Sequence, residues 1–358
     1  MPAERAAPWV VLQTRRGRWG GDLRRAHIFQ VLAERTAAVT EDGLNRAALQ
    51  RAVRRAVGRP IPWLRRANLA TPELLTPGAV VLARRITHPV ALDVHDEPVA
   101  QADALGVALP GEVRRAESER MARNLAAFAL HVVPSASFAE LIGLDPRRVI
   151  VAPNGSDTAH VVPEPWPARP ALGFVSGAAP GRGIENLIEA ARALHVAVPD
   201  LRLYLWLAGV GGEAEDYLTS LRLATATEAW IEIAEAPYEQ LSAALGRATV
   251  LVVPHPANAY TDVAVPVKLL DSMAAGRPVV VTPRTETRRI VEAAGAGCVT
   301  AGDTPEDLAA AILPLLRDAD LARRLGANGR AAAVRDYDWR VISARVADAV
   351  LAPDHHRR

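Results

Sequence analysis

Short apolar runs recur along the chain, and helical patterns fill the spaces between them. In the first half the runs are WVVLQT (9–14), AAVT (37–40), AVVLARR (79–85), VALDVHD (90–96), ALHVVP (129–134) and RRVIVAP (147–153). Helical stretches lie between them: AHIFQVLAERT (26–36), a basic stretch from Asn45, EVRRAESERMARNLAAF (112–128) and SASFAELIGL (135–144). Apolar runs of this kind, alternating with helices, predict parallel strands buried on both faces. The alternation stops at PNGSDTAHVVPEPWPARP (153–170), whose five prolines make a stiff, extended connector. It then restarts with strands ALGFVSG (171–177), LRLYLWLAG (201–209), WIEIAE (230–235), TVLVVP (249–254) and RPVVVT (277–282). Helices are expected at 183–194, at 238–248, over about 266–275, and from Thr285 and Pro305. The last segment, DYDWRVISARVADAVL (336–351), reads as an amphipathic helix with no strand after it.

This pattern predicts an α/β protein of two Rossmann-like, doubly wound parallel-sheet domains. The expected limits are 1–165 and 166–335, with a C-terminal helix, 336–358, packing back on the first domain. Ligands of such sheets bind beyond the carboxyl ends of the strands, here in a cleft between the two domains.

Composition narrows the class. A chain of 358 residues suits two domains, and half of them hydrophobic is a soluble globular balance. The formal charge of +2 does not mark a nucleic-acid binder. One cysteine, Cys298, excludes an internal disulfide framework and fits a reducing compartment. The N-terminus lacks the apolar core of a signal peptide, and no apolar run approaches the roughly 20 residues that span a bilayer. A cytoplasmic protein is expected.

Of 42 basic residues, Lys268 is the only lysine. It stands in PVKLLDSMAAGRPVVVT (266–282), where Pro266 suits the first helical position, Gly276 the C-terminal cap and Pro278 the stop. Lys268 falls in the first turn, beside unpaired helical N–H groups, and is suited to a phosphate. Asp271, three residues on, shares its face and is suited to ribose hydroxyls. The competing reading is a Lys–Asp surface pair on an ordinary helix.

The same run resembles the nucleotide-sugar signature of glycosyltransferase family 4, the glycosyl transferases group 1 set with the GT-B fold, whose pattern is P-x-K-L-x-E-x-x-A-x-G-x-P-V-V. GFVSGAAPGRGIENLIEAARAL (173–194), PDLRLYLWLAGVG (199–211) and ATVLVVPHP (248–256) resemble the family's donor-domain strands, phosphate loop and turns. RRVIVAPNGSD (147–157) resembles its I-P-N-G-V-D segment, and 303–339 its C-terminal helices. The resemblance implies a nucleotide diphosphate-sugar transferase, retaining and metal-independent, with no cofactor beyond that substrate. It places Lys268 and Arg182 on the diphosphate, Asp271 on the ribose and Leu269 at the donor site. Gly177 stands where the family has an arginine. Asp262 is the nearest candidate for a further catalytic carboxylate, with Val263 and Ala264 on ground often held by glycine. In GRWGGDLRR (17–25), Gly20 and Gly21 would bring a loop's backbone close to donor phosphate or acceptor, or simply make a tight turn. His95, in LDVHDEP, matches a histidine near the transferring sugar. A metal site with Asp93 and Asp96, or a helix cap by Asp96, competes with that reading.

Other motifs carry less. GVGGEA (209–214) satisfies a dinucleotide pattern but follows the second strand of its unit, where a closing turn explains it. The D-x-D runs at 318–320 and 336–338 lie between helices, where Asp caps. The segment from Asn45 to Arg66 holds seven arginines and no acid. It is either a solvated face or an amphipathic helix docking peripherally on anionic lipid. The expected partners are a nucleotide-sugar donor and a glycan, lipid-linked or small-molecule acceptor, without nucleic acid. Two alternatives stay open: a GT-B nucleotide-sugar epimerase, for which only His255 is a candidate, and a degenerate, non-catalytic glycosyltransferase-like partner.

Overall fold

The structure, a computed structural model, describes residues 12–13, 20–35, 39–40, 69–70, 91–126, 128, 130–209 and 211–351. The basic segment from Asn45 to Arg66 and the 79–85 run lie outside the described residues. The chain divides into two compact units: Met1–Val99 with Leu109–Asn154 and Trp339–Arg358, and Ala100–Ala108 with Gly155–Asp338.

In the first unit, β1 (Leu12–Gln13) pairs in parallel with β2 (Val39–Thr40). A second parallel sheet runs β3 (Leu69–Ala70), β4 (Ala91–Asp93), β5 (Leu130–Val133) and β6 (Val149–Val151), in that order. Every residue of β4 and β5 is buried, as strands covered on both faces require. Helices α1 (Gly20–Arg35), α2 (Pro98–Ala104), α3 (Gly111–Leu125) and α4 (Ala136–Leu141) intervene, α2 straddling the division between units. The C-terminal helix Trp339–Leu351 packs on α1, where Trp339 stacks on His27 at 5.4 Å between ring centroids.

The first turn of α1 corrects one expectation: Gly20 and Gly21 open the helix instead of lying in a loop. The physical reason sits one turn on. Arg24 is fully buried; its Nε and Nη2 donate to Asp93 Oδ1 at 3.0 and 2.8 Å, and its Nη1 donates to the carbonyls of Ala152 and Pro153 at 2.7 and 3.0 Å. One guanidinium thus pins the start of α1 to the ends of β4 and β6.

In the second unit, six strands pair in parallel in the order β12 (Gly297–Val299), β11 (Val279–Val281), β10 (Val250–Val253), β7 (Ala171–Gly177), β8 (Arg202–Ala208), β9 (Ile231–Ala234). Sequence order reverses between β7 and β10, so this is the topological switch point of a doubly wound sheet. Successive residues of β10 feed opposite sides: Val250 and Val252 join one apolar cluster, Leu251 and Val253 the other. The first cluster is capped by α5 (Ile184–Ala197) and α11 (Pro305–Arg317), which contribute Leu187, Ile188 and Ile312. The second is capped by α7 (Leu241–Gly246), α9 (Val267–Ala274), α10 (Thr285–Ala294) and α12 (Ala319–Asp336), which contribute Leu245, Leu270, Ile290 and Ala333. Two helices absent from the sequence reading complete the unit, α6 (Gly212–Ala224) and α8 (Ala259–Val263).

The junction between units lies at Asn154/Gly155, earlier than the 165/166 expected from the prolines. The run 155–165 is a strap laid on the second unit, with one turn at Thr158–His160. Apart from Asp157, whose carbonyl accepts within that turn, its carbonyls look to side chains for donors, because buried carbonyls need them. Arg330 donates to the carbonyls of Thr158 and Val161 at 2.9 and 2.8 Å, and Arg277 to those of Glu164 and Pro165 at 3.0 and 2.8 Å. Arg277 also stacks 4.5 Å from the Trp166 ring.

Removing Arg24 leaves the buried Asp93 carboxylate uncompensated. Arg24→Ala should cost about 3–5 kcal/mol of unfolding free energy in urea. The double variant Arg24→Met, Asp93→Leu should recover much of that loss, and no recovery would show that the pair is not what anchors α1.

Candidate functional site

At the switch point the loops after β7 and β10 leave in opposite directions, and each leads into a helix. After β7 the chain runs through Gly177 to Gly183 and enters α5. Gly181 and Gly183 both have φ +76°, a left-handed conformation that side chains disfavour. Space forbids them too: a Cβ would lie 2.2 Å from the Ala104 carbonyl oxygen at Gly181 and 1.8 Å from that of Pro254 at Gly183. Gly183 is the N-cap of α5 and has no side-chain cap. After β10 the chain passes Pro254 and His255, forms α8 and enters α9. Pro266 stands at the N-cap of α9, one position before the place the sequence suggested, and again no side chain caps the helix. Two uncapped helix starts are therefore found at one edge of the sheet, where backbone N–H groups and helix dipoles favour an anion.

Lys268 lies in the first turn of α9. Its Nζ donates to Ser176 Oγ, near the end of β7, at 2.7 Å, lies 3.4 Å from His255 Nε2, and sits 4.9 Å from the centroid of the Phe174 ring. Burial, and then the Arg182 guanidinium, push this ammonium well below the ordinary lysine value. Arg182, at the start of α5, is near enough to press electrostatically on both Lys268 and His255. His255 is itself held neutral by burial and by Lys268, Arg182 and Arg284. Its Nδ1 is buried with no hydrogen-bond partner among the described residues, which costs about 1–3 kcal/mol in a folded protein.

Asp271, one turn further along α9, is 6% exposed and accepts a hydrogen bond from Ser156 Oγ at 2.6 Å. Burial outweighs that bond and the attraction of His160, and pushes the carboxyl up to about 7. Lys268 and Asp271 share the helix yet serve different neighbours. The lysine faces the β7 edge and Arg182; the aspartate faces the 155–160 strap.

The remaining expected residues fall as follows. Leu269 is fully buried in the core, and its N–H donates to the Pro266 carbonyl at 3.1 Å. Asp262 lies in α8, and its two carboxylate oxygens accept from the Thr285 backbone N–H at 3.0 Å and Oγ1 at 2.8 Å, at the start of α10. In the first unit His95 follows β4, with Nδ1 3.8 Å from Asp93 and Nε2 3.5 Å from Asp96, while the Asp93 carboxylate is engaged by Arg24. Asp318, of the first D-x-D run, caps α12 through the Leu321 N–H at 2.8 Å. Ser156, Ser176, His255 and the Arg284–Asp303 pair, which neighbour Asp271, Lys268 or one another, were not picked out with them from sequence. The one available signal was their place at or beyond the carboxyl ends of strands, where such sheets bind ligands.

A family model described as glycosyl transferases group 1 matches residues 169–318. The D-inositol 3-phosphate glycosyltransferase of Geodermatophilus obscurus is 28% identical over an alignment of 312 positions that covers 82% of this chain and 64% of that protein. The MMP alpha-(1->4)-mannosyltransferase of Mycolicibacterium hassiacum is 28% identical over 63% of this chain and 54% of its own length. The chain therefore spans less than two thirds of these relatives. Among solved structures, HepE of Anabaena in complex with UDP aligns with a TM-score of 0.71 at 17% identity, covering 96% of this chain and 99% of that one. Sucrose-phosphate synthase from Thermosynechococcus elongatus gives 0.69 at 14% identity, covering 96% and 98%. At these identities the likeness shows the fold, which is GT-B. No helix of the described residues is long and apolar enough to cross a membrane.

Asp271 carries a pH signature. Its folded value is raised above that of the unfolded chain, so between 3.8 and about 7 the native protein holds a proton that the unfolded chain has lost. Stability should therefore fall as pH rises through that window, by about 1.4 kcal/mol per unit at most. Urea unfolding at about pH 5 and about pH 8 should show the wild type losing stability relative to Asp271→Asn. Parallel behaviour of the two proteins would count against a buried, strained carboxyl.

Proposed function

We propose that the chain, whose residues 169–318 match the glycosyl transferases group 1 family model, transfers a sugar from a nucleoside diphosphate sugar to an acceptor. The observation that carries the proposal is Lys268: a half-buried ammonium held by neutral groups, beside Arg182 and two uncapped helix starts at a switch point. The diphosphate binds there, and its negative charge rises as the glycosidic bond to the sugar breaks. Cations already in place stabilise that charge without reorganising, the usual source of large rate effects. Asp271 receives the ribose hydroxyls, and the shared helix sets the spacing between the two ends of the donor. The counter-charge comes from side chains, so the transfer is metal-independent and uses no further cofactor. Anomeric configuration is retained. Relatives named as an MMP alpha-(1->4)-mannosyltransferase and an alpha-maltose-1-phosphate synthase support an α-linked product. His95 and the start of α1, with Gly20 and Gly21, serve the transferring sugar and a glycan, lipid-linked or small-molecule acceptor. Because HepE was solved with UDP, UDP-sugars are the first donors to try.

A second reading, a non-catalytic glycosyltransferase-like partner, is favoured by one observation. Both carboxylate oxygens of Asp262 are engaged by Thr285, which leaves that carboxylate occupied in a structural bond.

Two assays decide between these readings. A panel of nucleotide sugars is screened by thermal shift, and the stabilising one is then followed for release of free sugar. An enzyme stabilised by one donor should release its sugar slowly, and Lys268→Ala should lower kcat/KM by about 10²–10³-fold, the range for losing one charge-stabilising donor. Binding without turnover supports the partner. No shift with any donor, or equal shifts in the variant, overturns the donor site. Donor binding should also follow a bell in pH, with its acid limb near the Asp271 value of about 7 and its alkaline limb below the ordinary lysine range.

A further inference from the structure

His255 has no part in the transfer proposed above, yet its ring is buried and meets charge from several elements. It is 3% exposed, follows Pro254 at the end of β10, and its carbonyl accepts a hydrogen bond from Thr282 Oγ1 after β11. Its ring meets charge from three elements: Lys268 on α9, Arg182 at the start of α5, and Arg284 after β11. Arg284 is offset by its ion pair with Asp303, whereas among the described residues no carboxylate pairs with Lys268. A ring nitrogen 3.4 Å from an ammonium can only accept, so Nε2 carries the lone pair and Nδ1 the proton.

We infer that His255 is a positioning residue: its Nε2 and Ser176 Oγ together hold the Lys268 ammonium at the strand edge, leaving one N–H of that ammonium for a phosphate oxygen. The count follows from the chemistry of the group. An ammonium has three donors; Ser176 takes one at 2.7 Å and His255 another at 3.4 Å, and the Phe174 ring supports the cation 4.9 Å away. Three neutral contacts keep a long, flexible side chain in place without quenching its charge, which an aspartate or glutamate in the place of His255 would do. The inference rests on the donor-site reading only for what the ammonium binds, not for how it is held.

The single lysine makes the test direct. In the full chain labelled with ε-¹³C lysine, one lysine resonance reports the titration of Lys268. Its midpoint should lie below the ordinary lysine range in the wild type. In His255→Leu it should fall further, by about one unit, because a neutral acceptor for the charged form is gone. His255→Gln, whose side-chain carbonyl reaches the Nε2 position, should restore most of the shift. Affinity for UDP, measured by calorimetry, should weaken about tenfold in His255→Leu and recover in His255→Gln. A wild-type titration in His255→Leu overturns the inference, as does a glutamine variant that behaves like the leucine variant. If the titration moves as expected while UDP binds no form of the protein, the positioning role stands and the donor reading falls.

Discussion

A half-buried ammonium, Lys268, with no carboxylate paired to it among the described residues, is the constraint around which the second unit is organised. Burying an ammonium is costly unless it is paired or well hydrogen-bonded, and other buried or half-buried cations of this protein meet that requirement in plain ways. Arg24 takes Asp93, Arg284 takes Asp303, and Arg277 and Arg330 spend their N–H groups on the carbonyls of the strap. Lys268 is treated differently. A serine hydroxyl, an imidazole nitrogen and an aromatic face hold it, with a second cation close by. A site made for stability would neutralise that charge. This one keeps the charge available, in surroundings where it attracts an anion far more strongly than it would in water.

Much of the second unit was legible from its residues, because its strands are short aliphatic runs and its breakers are local. VLVV, with every residue buried, can be read as a strand covered on both faces, and Gly276 and Pro278 end α9 where their backbone chemistry says they should. Helix α6 escaped for the opposite reason. In GEAEDYLTSLRLA only Leu218 and Leu221 are buried, so its apolar stripe is too thin to distinguish from a glycine-rich turn. The start of α1 was misread because Arg24 looks like one more surface arginine in an arginine-rich chain. Its partner Asp93 lies 69 residues away, and no local pattern announces the pair.

The site shows the same division. The places of Lys268 and Arg182 at helix starts were readable, since glycine and proline breakers mark those starts. What those residues lean on was not readable. Ser176 and His255 lie 92 and 13 positions from Lys268, and Ser156 lies 115 from Asp271. The raised carboxyl of Asp271 is a property of that tertiary setting, not of its place in the motif. Asp262 shows the converse: a carboxylate that sequence proximity offered to the donor is engaged by the first residue of α10.

The loop after β7 is wedged between two backbone carbonyls, those of Ala104 and Pro254, with no room for even a methyl group at either contact. Such a loop cannot sample many shapes, so it gives up little freedom when something settles on it. A ligand of the kind proposed above would therefore meet an existing contour, and protein would not fold around it. The entropy that a supple glycine-rich loop would surrender on closing was lost when this chain first collapsed.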